Sequence, residues 1–131
     1  LEELAQFAIC FVVLLSYDVP WWSYVLLFIG PDIGMIGYLM NSKVGSITYN
    51  FLHHKGIAIG CVLVSILYGH GAHPTEGLLQ DGSLLLITGI ILYGHASMDR
   101  IFGYGLKFND SFHHTHLGWI GKAVKGVGQS D

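Results

Sequence analysis

Residues 83–104, SLLLITGIILYGHASMDRIFGY, decide the fold class. The run from Ser83 to Tyr93 is almost wholly apolar and reads as a membrane helix. Toward its end His95, Asp99 and Arg100 fall within six residues. His95 and Asp99 are four apart and share one face of a helix, while Arg100 turns about a quarter of the way round. Ionisable groups inside a membrane segment are costly, and they persist mostly where they pair, bind something or line a cavity.

Composition agrees with that class. Of 131 residues 52% are apolar and only 11% charged, and the mean hydropathy is +0.53. Soluble domains carry about 25% charged residues. The length suits a single integral membrane domain, residues 1–131, with about four spans of roughly 20 residues. A net charge of −3 offers no broad basic surface, so no nucleic-acid partner is expected. Cys10 and Cys61 sit in apolar runs without Cys-x-x-Cys spacing and read as buried free thiols.

The expected spans are residues 4–17, 21–40, 44–68 and 83–104, with a polar tail over 107–131. Leu4–Tyr17 has the apolar core of a signal peptide. Its flank is acidic (Glu2, Glu3) and no small-residue cleavage site follows, so it reads as the first span. Trp21, Trp22 and Tyr24 form an interfacial aromatic belt. Pro31 has no N–H to donate and its ring crowds the carbonyl of Leu27, which predicts a kink or break there. The fold expected is all-α: a four-helix transmembrane bundle with one Pro-kinked or broken helix and a cytoplasmic C-terminal tail. Lys43, Arg100, Lys107, Lys122 and Lys125 collect on one face of that arrangement, whereas the loops at Asp18 and at 69–82 carry no positive charge. The positive-inside rule then puts both termini in the cytoplasm of a bacterial inner (plasma) membrane. Gly30, Gly34 and Gly37, and separately Gly56 and Gly60, have the small-residue spacing that lets helices approach closely. Packing within one bundle is the first reading of these faces, and homo-oligomerisation through them the second.

Depth selects the groups that can meet. Asp32 lies eight residues from the turn at Met40, about 12 Å along a helix, and His53 lies at a similar depth beyond the same turn. His95 and Asp99 sit toward the cytoplasmic end of the fourth span. Asp32, Asn50, His53, His95, Asp99 and Arg100 are therefore expected to converge in the inner half of the bundle, with His113, His114 and His116 below as a lid. His70 and His73 belong to the opposite face. A carboxylate after a helix-breaking proline, as at Asp32, needs a cation, a proton or a positive partner. Imidazole and carboxylate are ordinary zinc ligands, and a metal-bound water becomes a nucleophile near neutral pH. The metal ligands expected are Asp32, His53, His95 and His116, the metal being zinc or another divalent transition ion.

The sequence also resembles a family of small bacterial membrane proteins, domain of unknown function 4260, over about Trp21 to Gly121. The resemblance rests on Pro31-Asp32-Ile33 with Gly37-Tyr38, on Tyr49-Asn50 with His53, and on His95 with Asp99-Arg100. It continues through Gly103-Tyr104-Gly105-Leu106-Lys107 and Thr115-His116-Leu117-Gly118. It implies a four-helix membrane protein and brings no established activity. Its motif positions favour Asp32, His53, His95, Asp99 and His116 over His54, His113 and His114.

The leading functional expectation is a membrane-embedded, metal-dependent hydrolase acting on a lipid or amphipathic substrate at the cytoplasmic side. Asp99 would be a ligand or general base and Arg100 a clamp for an anionic headgroup. The alternative is a non-enzymatic membrane subunit, or a haem- or proton-binding module, whose buried polar cluster is structural. Two histidines on facing helices can hold a haem. The neighbouring carboxylates suit a porphyrin poorly, and haem ranks behind zinc.

Overall fold

The structure is a computed structural model, and it describes residues 1–68 and 83–120. The expected loop over 69–82 and the end of the tail, with Lys122 and Lys125, lie outside the described residues. Among the described residues five α-helices follow in order: α1 (Glu2–Ser16), α2 (Trp21–Ile29), α3 (Ser42–His53), α4 (Lys55–Tyr68) and α5 (Ser83–Ile101). A 3-10 helix, Gly30–Leu39, continues directly from α2. The tail closes with a small antiparallel pair, β1 (His114–Thr115) and β2 (Gly118–Trp119).

Helix α5 is the hub. Helices α1, α2 and α4 pack around it, and α3 packs along the 3-10 helix. The core between α1, α2 and α5 is built from Cys10, Leu14, Val19, Leu27, Ile87, Ile90 and Ile91. Glu3 at the start of α1 meets Arg100 at the end of α5, while the Gln6 amide oxygen takes a hydrogen bond from the Tyr93 hydroxyl. The two helices therefore run antiparallel. Large apolar side chains point outward along the helices, among them Phe28, Ile29, Ile36, Phe51, Leu63, Ile66 and Leu67, while Ser23, Ser46, His53 and His95 are buried. Apolar outside and polar inside is the pattern of helices with lipid around them.

Among the described residues two segments, Trp21–Leu39 and Leu84–Ile101, are long and apolar enough to cross a membrane. The pair Ser42–His53 and Lys55–Leu67, bent by 45°, makes a third if counted as one span. Helix α1, which covers the expected span over 4–17, is not among them. Its 15 residues reach only about 22 Å at 1.5 Å per residue, short of a hydrocarbon core about 30 Å thick. The expected third span, 44–68, is broken as well. His54 is extended (φ −85°, ψ 110°), and its ring Nδ1 accepts the Gly56 N–H at 3.0 Å, so the histidine itself caps the start of α4.

The disturbance expected at Pro31 takes the form of a change of pitch. From Gly30 onward the chain winds at three residues per turn, which stacks every third residue on one face. Pro31, Gly34 and Gly37 thereby form a single row, and α3 lies against its glycines. A β-carbon on Gly34 would lie 2.8 Å from the Thr48 carbonyl oxygen, and one on Gly37 would lie 2.2 Å from the Thr48 hydroxyl. That hydroxyl donates across the interface to the Gly34 carbonyl at 2.6 Å. These two glycines serve packing inside the chain, whereas a β-carbon on Gly60 would meet nothing within 4 Å.

The contrast predicts opposite outcomes for one chemical change. Gly34→Ala drives a methyl into backbone and should destabilise the fold by about 1–3 kcal/mol. Gly60→Ala, in an open helical position, should be neutral or slightly stabilising. Thermal unfolding of the two variants in detergent reads the difference, and equal melting temperatures would contradict the tight glycine row.

Candidate metal centre

Four side chains from three separate segments meet beside α5. His95 and Asp99 project from one face of α5, being four residues apart. His53 is the last residue of α3, and Asp32 lies in the first turn of the 3-10 helix. One ligating atom from each can be chosen so that all lie within 4.8 Å of one another.

The backbone sets the two rings. His95 Nδ1 lies 2.9 Å from the Leu27 carbonyl oxygen, and His53 Nδ1 lies 2.8 Å from the Tyr49 carbonyl oxygen. A carbonyl oxygen only accepts, so each Nδ1 carries the hydrogen. In a neutral imidazole the remaining nitrogen, Nε2, is then a bare lone pair. The two Nε2 atoms face each other at 3.1 Å. Asp32 Oδ1 lies 3.5 Å from the His53 Nε2 and 3.4 Å from the His95 Nε2. The carboxylate of Asp99 lies 3.2 Å from the first through Oδ2 and 3.6 Å from the second through Oδ1.

These separations test the fit of a metal. Four ligands at 2.0–2.1 Å around a tetrahedral ion stand about 3.3 Å from each other. The approaches involving the imidazole nitrogens, counting both Asp99 oxygens, run from 3.1 to 3.6 Å, and one atom from each residue can be chosen with no separation above 4.8 Å. Two nitrogen and two oxygen donors suit a borderline divalent ion such as zinc, and soft or purely oxygen-seeking ions less well. Burial is graded across the set: the side chain of His95 is 0% exposed, His53 3%, Asp99 13% and Asp32 32%. The set is thus closed on three sides and open at Asp32.

A second layer supports the first. The Tyr49 hydroxyl donates to Asp99 Oδ2 at 2.8 Å, and its ring stacks on His53 with centroids 3.7 Å apart. Outer hydrogen bonds of this kind fix the orientation of metal ligands. Below Tyr49 the tail folds back along α3. The Asn50 amide grips the backbone of Lys107 on both sides, donating to its carbonyl at 2.7 Å and accepting its N–H at 2.6 Å. Ser46 donates to Asn109 at 2.5 Å, and Tyr38 meets Phe112 edge to face. Lys107, 3% exposed, places its ammonium 4.6 Å from the centre of the Tyr49 ring. Burial lowers its pKa below the ordinary lysine value, against the opposite pull of Asp99 and Asp32.

The remaining sequence candidates lie elsewhere. His116 is outside the group of four: its ring Nδ1 accepts the Leu106 N–H at 2.8 Å and so pins the tail. Arg100 faces α1, with its guanidinium 3.8 Å from Glu3. Lys55 shares that carboxylate and also bonds the Gln6 amide oxygen. His114 is held by Asp110 at 2.7 Å and stacks on Trp119. That hydrogen bond keeps the Asp110 carboxyl below its usual pKa. Tyr49 and Lys107 were not among the sequence candidates for the site. Tyr49 had a usable signal, since it sits four residues before His53 on one helix face. Lys107 had only its place in the family motif, because its position at the site depends on the fold of the tail.

No curated protein and no solved structure matches the chain. A family model described as domain of unknown function (DUF4260) matches residues 1–120, and the chain belongs to that family.

Proposed function

We propose that this chain is a membrane-embedded metalloprotein that holds zinc or another divalent transition ion on His53, His95, Asp99 and Asp32. The observation that carries the reading is the pair of Nδ1–H bonds to the Leu27 and Tyr49 carbonyls. They turn two lone pairs toward the same point as two carboxylates. Without a metal the four groups would have to share protons, which is the competing reading of a structural or proton-binding cluster. A haem fits less well, because both carboxylates lie within 3.6 Å of the nitrogens that would be its axial ligands.

The reaction proposed is hydrolysis of a lipid or other amphipathic substrate. A bound divalent ion supplies a Lewis acid and a water acidified toward neutral pH. His53 and His95 hold their orientation through the backbone. Asp99 is held by Tyr49. Asp32, the most exposed of the four, borders the open side: by swinging off the ion it would leave a fourth position to water and would accept that water's proton. Asp99 lies two residues before the end of α5, so the centre stands near that helix end, where a headgroup can reach it. In the proposed topology α1 completes a four-helix bundle beside α5, and both termini face the cytoplasm of a bacterial inner membrane.

Elemental analysis of the detergent-purified protein tests the metal directly. Near-stoichiometric zinc or another transition metal is expected in the wild type, with loss in His53→Ala and in His95→Ala. A metal-free wild type, folded and indifferent to chelators, would leave the shared-proton reading. Tyr49→Phe should weaken metal binding about 10–100-fold by releasing Asp99. His116→Ala should leave the affinity unchanged, since that ring lies outside the group of four and holds the Leu106 N–H. Competition against a chromophoric chelator measures both.

A further inference from the structure

Lys107 stands outside the donor set yet is the most deeply buried cation in the described residues. Its ammonium donates to the Phe112 carbonyl at 3.1 Å and lies 3.7 Å from the centre of the Phe112 ring and 4.6 Å from that of Tyr49. Among the described residues it forms no ion pair, whereas Lys55 and Arg100 share Glu3. A buried charge without an ion-pair partner in contact is costly. The fold nevertheless holds it in place through both arms of the Asn50 amide. The nearest negative group by contact is Asp99, one tyrosine away, since the ring beneath the ammonium carries the hydroxyl that bonds Asp99.

Charge counting gives this position a meaning. The two histidines enter the donor set neutral, with Nδ1–H committed to carbonyls. A divalent ion is then balanced by Asp32 and Asp99, and the Lys107 charge is left over. An anion at the open side beside Asp32 would balance it. Arg100, the sequence choice for an anion clamp, faces the other side of α5 and is already paired with Glu3.

We propose that the loaded centre is a receptor for an oxyanion, a phosphate or phosphate-ester group, and that Lys107 is the positioning charge that makes it so. This rests on the metal reading above and narrows its substrate to one bearing an anionic group. Lys107 acts through space and through Tyr49. It is not a ligand of the metal, and it need not touch the anion.

The test uses the full chain in detergent, loaded with Co²⁺ as a visible probe, and titrated with inorganic phosphate and separately with a short-chain phosphatidic acid. Expected is a change in the cobalt absorption of the wild type with either titrant. Tighter binding of the lipid would mark a headgroup site, and equal binding a site for free phosphate; both support an oxyanion receptor. Lys107→Met should bind phosphate about tenfold more weakly, because a unit charge is lost at short range in a poorly screened place. Its Co²⁺ affinity should hold or rise, since a repelling charge has gone, and Lys107→Arg should restore phosphate binding. If Lys107→Met lost cobalt and phosphate together, the lysine would be a mere support and the proposal would fall. It would fall equally if loaded wild type ignored both titrants, a result that needs no variant and leaves the metal reading intact. A wild type that takes up no cobalt would remove both.

Discussion

Two backbone carbonyls, those of Leu27 and Tyr49, impose the arrangement on which the polar interior depends. Each takes the Nδ1 hydrogen of a buried histidine. The Leu27 carbonyl is the one that Pro31, four residues on and without an N–H, cannot engage, so the break at proline presents an acceptor to the His95 ring. The Tyr49 carbonyl lies one turn before His53, the last residue of α3, and the His53 ring turns back on its own helix to reach it. One ring is thus set by the break at Pro31 and the other by the end of α3.

The pitch of the 3-10 helix carries the third partner. At three residues per turn Gly34 and Gly37 line up toward α3, and the chain comes close enough for Thr48 to bond the Gly34 carbonyl. Asp32 lies in the first turn of that helix, beside rather than within the glycine row, and is thereby carried to the histidines instead of into the packing. An ordinary α-helix through the same residues would turn each by 100° and spread the row around its surface. Long 3-10 runs are uncommon because their hydrogen bonds are poorer. Close packing on α3 supplies the compensation.

Much of this was legible in the sequence, and the remainder was hidden for physical reasons. Counting residues from the turn at Met40 put Asp32 and His53 at one depth, and the four-residue spacing put His95 and Asp99 on one face. The structure brings those four residues together. Depth says nothing of direction, however. Asn50 shares that depth but turns to the tail, and Arg100 turns to Glu3. Pro31 announced a disturbance without revealing that the helix would tighten instead of kinking. The break at His54 had no proline to announce it. His116 has the right chemistry, yet it lies in a tail whose path is set by non-local hydrogen bonds to Asn50 and Ser46, and these follow no sequence period.

The tail also explains why so polar a cluster is tolerated where α5 ends. Beyond Ile101 the helix no longer covers α3, and Tyr49 would be left uncovered. The segment from Leu106 to Phe112 takes that place and brings a lysine over the tyrosine ring. A hydrophobic cover would have shielded Tyr49 as well. It would also have left two carboxylates and two neutral imidazoles with negative charge only, a combination that in low dielectric binds a cation tightly and releases it poorly. The lysine moderates that imbalance from one ring's distance without joining the donor set. Shielding and charge thus come from a single side chain, which accounts for a long flexible cation standing where leucine would pack more cheaply.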